Sequence, residues 1–213
     1  MVAAIIRDKI SAAVTAEAES GRLGRRLEQQ LPQLRNKLVL PEQEPVVGLL
    51  RFITDYIESV PGCLQLVTAV SKRMGFYDYA APFLDMAQDY FLHPPPELPA
   101  DNGLEGLLDE AFLAHRLLEE VNDHHIRHLR RPLLPVDMTE ANVIVHHLLG
   151  DALANTLDQK VSHTATQLLG REYLWTRVSP QPEAAAPMGI PLRHKPLSWP
   201  FHRIRLRLAG EAG

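Results

Sequence analysis

At 213 residues and 23.9 kDa the chain suits one sizeable domain with an appendage, long enough to bury a core without a metal or a disulfide. Hydrophobic residues at 46% and charged residues at 23% exclude a wholly disordered chain, and the single cysteine, Cys63, excludes a disulfide framework and any zinc site needing two thiolates. The net charge of −4 is unevenly spread: residues 171–213 carry +4 and residues 1–170 carry −8, so the body lacks the basic face of a nucleic-acid-binding domain.

The first residues read as an alanine-rich helix over 2–19, ending near Ser20-Gly21. Arg7, Asp8 and Lys9 interrupt it before a signal-peptide core can develop, and no uncharged apolar run approaches the ~20 residues of a membrane span. The expectation is a cytoplasmic protein with no transmembrane segment. A short second helix runs to about Gln30, where Pro32 interrupts it. Residues 45–59 follow, with Pro45 at the first helical position and Val46, Leu49, Leu50, Ile53 and Ile57 in one stripe. Pro61-Gly62 predicts a break, then a helix over 63–74. Pro82 can open the next, through Phe83, Met86 and Phe91. Pro94-Pro95-Pro96 and Pro99 then force an extended connector.

Residues 103–130 give the clearest long helix, stopped before Pro132 and Pro135. Asp137 with Glu140 three residues on resembles a capping box, and the helix it opens runs to about 158, extending toward Leu169 and Gly170. Beyond Arg177 six prolines fall between 180 and 200, and the end, His202 to Leu208, alternates charged and apolar residues at strand period. The fold class expected is therefore all-α: a helical bundle of five to eight helices over residues 1–175, then a proline-rich, extended, basic C-terminal tail over 176–213.

Six of the ten histidines lie between 115 and 147 and flank the break between the two longest helices. Glu120, His124 and His128 stand at i, i+4 and i+8 on one helix. On the next, taken as continuous, His147 and Asp151 stand four apart on one face. Imidazoles and carboxylates from neighbouring helices are the donors that hold iron, manganese or zinc inside bundles, so these five are the candidate metal ligands. The plainer alternative is a set of structural histidines beside a solvated polar stripe. His-Glu-x-x-His is absent, as is a Glu-x-x-His pair repeated on two helices.

Other chemistry is thin. Gly21-Arg22-Leu23-Gly24 with Arg25 and Arg26 reads either as a phosphate-binding helix start or, more simply, as a capped turn. Cys63 is a buried, inert thiol unless the helix start beside it lowers its pKa. The aromatic residues between 76 and 92 read as core. In the tail, Arg193, Lys195, Arg203, Arg205 and Arg207 alternate with the anchors Trp199, Phe201, Ile204, Leu206 and Leu208. Such an arm folds back on the acidic body, adds a strand to a protein partner or twin subunit, or meets phosphates weakly. The leading expectation is a helical partner-binding or regulatory protein using Arg193, Lys195, Trp199, Phe201, Arg203, Arg205 and Arg207, its partner another protein or a second copy. The alternative is a metal-dependent, non-haem iron-like oxidoreductase or metal sensor built on the histidine cluster.

Overall fold

A computed structural model describes residues 2–73, 75–96, 98, 103–129, 136–169, 197–198 and 204–207. These residues form seven α-helices: α1 (Val2–Ser20), α2 (Arg22–Lys37), α3 (Pro45–Arg73), α4 (Tyr77–Leu92), α5 (Leu104–Leu129), α6 (Thr139–Leu149) and α7 (Asp151–Leu169). Two pairs of two-residue strands complete the described part. The strand β1 (Leu38–Val39) pairs antiparallel with β4 (Arg205–Leu206), and β2 (Val136–Asp137) pairs in parallel with β3 (Leu197–Ser198). The expected all-α class holds for the described residues. No helix among them is long and apolar enough to cross a membrane.

The centre of the bundle is α5, which packs against α1, α3, α4, α6 and α7. Leu104, Leu107, Ala111 and Leu118, at helical spacing, are buried, and so are Leu108, Phe112, Leu113, Ala114, Leu117 and Val121. A helix covered on most of its circumference must also bury polar groups, and Asp109, Glu110, His115 and His125 are all below a tenth exposed. Glu110 is answered by Lys9 of α1, whose ammonium donates to its carboxylate at 2.7 Å and to the Phe91 carbonyl at 2.9 Å. Five of the aromatic side chains of the 76–92 segment, Phe76, Tyr79, Phe83, Tyr90 and Phe91, belong to the core, as expected.

Two proline breaks expected from the sequence are absent, and the helix expected to open at Pro82 begins earlier, at Tyr77. Pro32 lies inside α2, Pro61 inside α3 and Pro82 inside α4. In each case an apolar face continues past the proline: Leu27 to Leu34 in α2, Ile57 to Leu64 in α3, Tyr79 to Phe83 in α4. Burying that face outweighs the loss of about 3 kcal/mol that an interior proline imposes. Pro61 leaves the Ile57 carbonyl without its helical donor, and the carbonyl beside it takes side-chain partners. The carbonyl of Tyr56 accepts the Ser59 hydroxyl at 2.6 Å and lies 3.1 Å from Nε2 of His115.

The opposite correction falls at Gly150. The single helix expected from 137 onward ends at Leu149, because Gly150 takes φ 86° and ψ 149°, a conformation open to glycine and costly for other residues. Its N–H still bonds the His146 carbonyl at 3.0 Å, closing α6, and its carbonyl accepts from Ala154 at 3.0 Å, opening α7. At the other end of α6 the expected capping box is not made, and Met138 rather than Asp137 is the N-cap. Asp137 accepts the Thr139 N–H at 2.9 Å, while Glu140 reaches away to the Leu206 N–H at 3.3 Å.

The tail, where described, returns to the body. Leu38 faces Leu206, Val39 faces Arg205, and the Arg207 N–H bonds the Lys37 carbonyl at 2.9 Å. The alternation read in the sequence is kept: Ile204 is buried and Leu206 half-buried, while Arg205 and Arg207 are exposed. Ile204 joins the same core cluster as Leu38. Ile204→Ala should therefore cost about 2–4 kcal/mol in a chemical denaturation series. A loss under about 0.5 kcal/mol, the size of a surface substitution, would show that this strand is not docked in solution.

Candidate functional site

The most elaborate polar arrangement among the described residues lies where α5, α6 and α7 meet. It borders a cleft of about 360 Å³ lined by Phe112, Arg116, Glu119, Thr139, Asn142, Val143, His146, His147 and Asp158. The order of bonds follows from helix spacing. Arg116 and Glu119 are one turn apart on α5 and form an ion pair, and Arg116 Nε also donates to Asp158 of α7 at 2.8 Å. Glu119 then gathers two residues from the first turn of α6. Thr139 Oγ1 donates to one of its oxygens at 2.8 Å and Asn142 Nδ2 to the other at 2.6 Å. Behind Asn142, the fully buried Tyr56 hydroxyl donates to Oδ1 at 2.7 Å. On the outer side, His146 Nδ1 stands 3.4 Å from Asp158 and Nε2 3.7 Å from Asp151.

The electrostatics follow these contacts. Burial would lower the Arg116 pKa, but the hydrogen bonds and charges of Asp158 and Glu119 outweigh it and hold the guanidinium firmly charged. Burial, reinforced by the Glu119 charge, pushes the Tyr56 phenol well above its usual value, so it remains a donor. Burial, then Lys37 and His146, depress the His147 pKa, and its buried Nδ1 has no hydrogen-bond partner among the described residues. Glu119 and Asp158 each already accept two or more partners, so neither carboxylate is set up as a base. The array fixes three helices relative to one another; a nucleophile–base pair is not among its parts.

On the far side of α6 a second, larger groove of about 650 Å³ is lined by Val39, Asp137, Thr139, Glu140, Val143, Arg205 and Leu206. Thr139 and Val143 border both depressions. Sequence reasoning did not find this surface, because it joins β1, the start of α6 and β4, which are far apart in the chain. The only available signal was the strand-period alternation at the tail, which marks a docking segment but not its dock.

The residues singled out from the sequence are placed as follows. His147 lies in the last turn of α6 and Asp151 begins α7, so the turn at Gly150 puts them on two helices rather than one, while the Asp151 charge still acts on His147. Asp151 also stands 3.7 Å from His146 Nε2 and 3.4 Å from Lys37 Nζ, with its side chain 66% exposed. Glu120 is half-buried on α5; the side chains of His124 and His128 lie outside the described residues. Among the described residues no group of three or more His, Cys, Asp or Glu side chains stands where it could hold a metal ion. His115 and His125 are buried: His115 against Ser59 and the Tyr56 ring, with the two ring centroids 4.6 Å apart, and His125 against the Phe76 ring. Since Ser59 spends its proton on the Tyr56 carbonyl, Nε2 of His115 carries the proton and donates to Ser59 Oγ at 2.8 Å.

The arginine-rich turn at 21–26 is a capped start. Both oxygens of Glu17 accept α2 amides, Leu23 at 3.0 Å and Gly24 at 2.9 Å, and so occupy the place an anion would take. Cys63 is buried and its thiol pushed up to about 12, an unreactive state. Of the tail residues, Arg205 lines the groove and Arg207 Nε donates to the Arg35 carbonyl at 3.1 Å. Arg193, Lys195, Trp199, Phe201 and Arg203 lie outside the described residues.

The fold class is thus an all-helical bundle tied to its own C-terminal segment by short strands. No family model matches the sequence, and neither the curated proteins nor the solved structures contain a significant match to it.

Proposed function

We propose that this is a partner-binding helical protein whose recognition surface is the outward face of α6 with the β1–β4 pair beside it. The observation that carries the reading is Val143. It is 37% exposed at the crest between two depressions, facing Val39, itself 39% exposed, across one of them. An apolar crest rimmed by Asp137, Glu140 and Arg205 has the anatomy of a recognition patch, with an apolar centre and a polar rim. The tail arginines and aromatic residues of 193–203 flank β3 in the sequence, and β3 is paired with β2, whose Asp137 lines the groove. They are the further contacts proposed for the same partner.

The test uses point variants, because removing the whole tail would also strip Ile204 from the core. Tagged full-length protein and its Val143→Glu variant are each cross-linked in an extract of the natural host, and the captured proteins compared. The expected result is at least one protein held by the wild type and lost by V143E while the variant keeps its thermal midpoint. Identical captured sets would overturn the reading.

A further inference from the structure

The guanidinium of Arg26 sits where α2, α5 and α6 meet. It pairs with Glu105 of α5, and its Nη2 donates to the Leu148 carbonyl at 3.3 Å. That carbonyl belongs to the last turn of α6, where backbone acceptors lack an intrahelical donor, so Arg26 caps α6 from another helix. One turn beyond Glu105 stands Asp109, 4% exposed, whose Oδ1 is buried without a hydrogen-bond partner among the described residues. Arg26 Nε is likewise buried and unbonded, as is Oε1 of Gln30, one turn further along α2. A buried donor and a buried acceptor are thus left unjoined, although each charge is close enough to act on the other.

The proton on Asp109 decides whether they join. While the carboxyl is neutral, Arg26 stays with Glu105 and the end of α6. Burial favours that form and raises the Asp109 pKa to about 6, with Arg26 opposing and Glu110 assisting. Glu110 is itself bonded to Lys9 of α1, and Arg22 reaches Glu105 at 3.8 Å. Once the proton leaves, a buried carboxylate faces a buried cation, and a bond between two charged groups is about twice as strong as a neutral one. Of the bonds Arg26 makes, the one to Leu148 gives way most easily: it is long, and its acceptor is a neutral carbonyl, whereas Glu105 is an anion.

We propose that Asp109 and Arg26 form a proton-operated latch on the end of α6: Arg26 holds the Leu148 carbonyl while Asp109 is protonated, and turns inward to Asp109 when it ionises. Release removes the external cap beside Gly150, the turn between α6 and α7. The bonds from Gly150 N–H to His146 and from Ala154 N–H to Gly150 then open more often. The latch is separate from the partner surface, whose groove neither Asp109 nor Arg26 lines.

Hydrogen exchange of the full-length protein, followed by NMR from pH 5 to 7.5 with each rate divided by its intrinsic rate, tests this. The Gly150 and Ala154 amides should lose about fivefold in protection as pH rises, the size expected for one lost hydrogen bond. Asp109→Asn, neutral at every pH and alike in shape, should keep the acid-side protection throughout. Arg26→Gln, without the cation, should show the low value at both ends. His146 and His147 share the last turn of α6, with Asp151 and Lys37 beside them, and are the other source of a pH step there. A step that survives in D109N belongs to them and overturns the latch. Level protection in the wild type overturns it too, as does an R26Q profile matching the wild type. The Arg26 Nε–H signal gives a reading that needs no variant: it should shift with the same midpoint, and a signal that stays in place overturns the proposal.

Discussion

Arg116→Met should unfold at a midpoint roughly 4–16 °C below the wild type, the equivalent of about 2–4 kcal/mol in a protein of this size. The substitution keeps the length of the side chain and deletes its charge, leaving Glu119 and Asp158 without the cation between them. Their side chains are 14% and 29% exposed, so neither is fully relieved by water. A wholly buried pair would cost more when broken, and a surface pair nearly nothing. Loss of α6 docking should accompany the fall, because Thr139 and Asn142 hold α6 through the same Glu119 carboxylate. A double-mutant cycle of Arg116→Met with Asp158→Asn, read by chemical denaturation, should show coupling above about 1 kcal/mol. Additive losses would mean that the bonds are incidental to a contact made by packing alone.

The second large effect is a pair of opposed pH slopes. Burial drives the His115 pKa down to about 4, partly countered by its bond to the Tyr56 carbonyl. The unfolded chain therefore takes up this proton first as pH falls. The stability tied to neutral His115 is whole above about 6.5 and is lost as pH drops toward 4. Burial raises Asp109 to about 6 against the pull of Arg26. Here the folded state holds the proton more tightly, so stability is lost as pH climbs from about 4 through 6. Each shift corresponds to something on the order of 3 kcal/mol, and the two nearly cancel across the same window. Glu110, also raised by burial, adds to the Asp109 side.

Wild-type stability should thus be almost level between pH 4 and 6.5, and single substitutions should unmask the slopes. Asp109→Asn should become steadily more stable as pH rises from 4 to 6.5, and His115→Gln steadily less stable. Denaturant midpoints at four pH values decide the matter. Parallel profiles for the wild type and both variants would show that neither group titrates differently on folding.

Much of this molecule is legible from spacing alone, and the failures have common causes. The apolar stripe of residues 104–118 marked the central helix because hydrophobic period survives burial. Ile204 and Leu206 marked an inward strand face for the same reason. Pro32, Pro61 and Pro82 misled because a proline's local penalty is a few kcal/mol, whereas the face running past it is anchored by tertiary contacts invisible from a short window. Gly150 misled in the other direction. Inside a helical pattern a glycine is tolerated as often as it breaks the run, and only a left-handed φ tells the two apart. The single helix expected to carry both His147 and Asp151 divides at that turn. The cleft network was out of reach because Tyr56, Glu119, Asn142 and Asp158 come from four helices, and no spacing rule links them.

The return of the chain end to β1 also sets a clock. Arg35 and Arg207, bonded in the finished molecule, are 172 residues apart in sequence. At synthesis rates of about 5–20 residues per second, roughly 10–30 s separate their emergence. Throughout that interval Leu38 lacks the chain segment that covers it, and loop closure of that length is among the slow steps of folding. Nascent chains therefore pass through a nearly complete bundle with one apolar seam open, the stage at which a chaperone or a neighbouring chain has its best chance of contact.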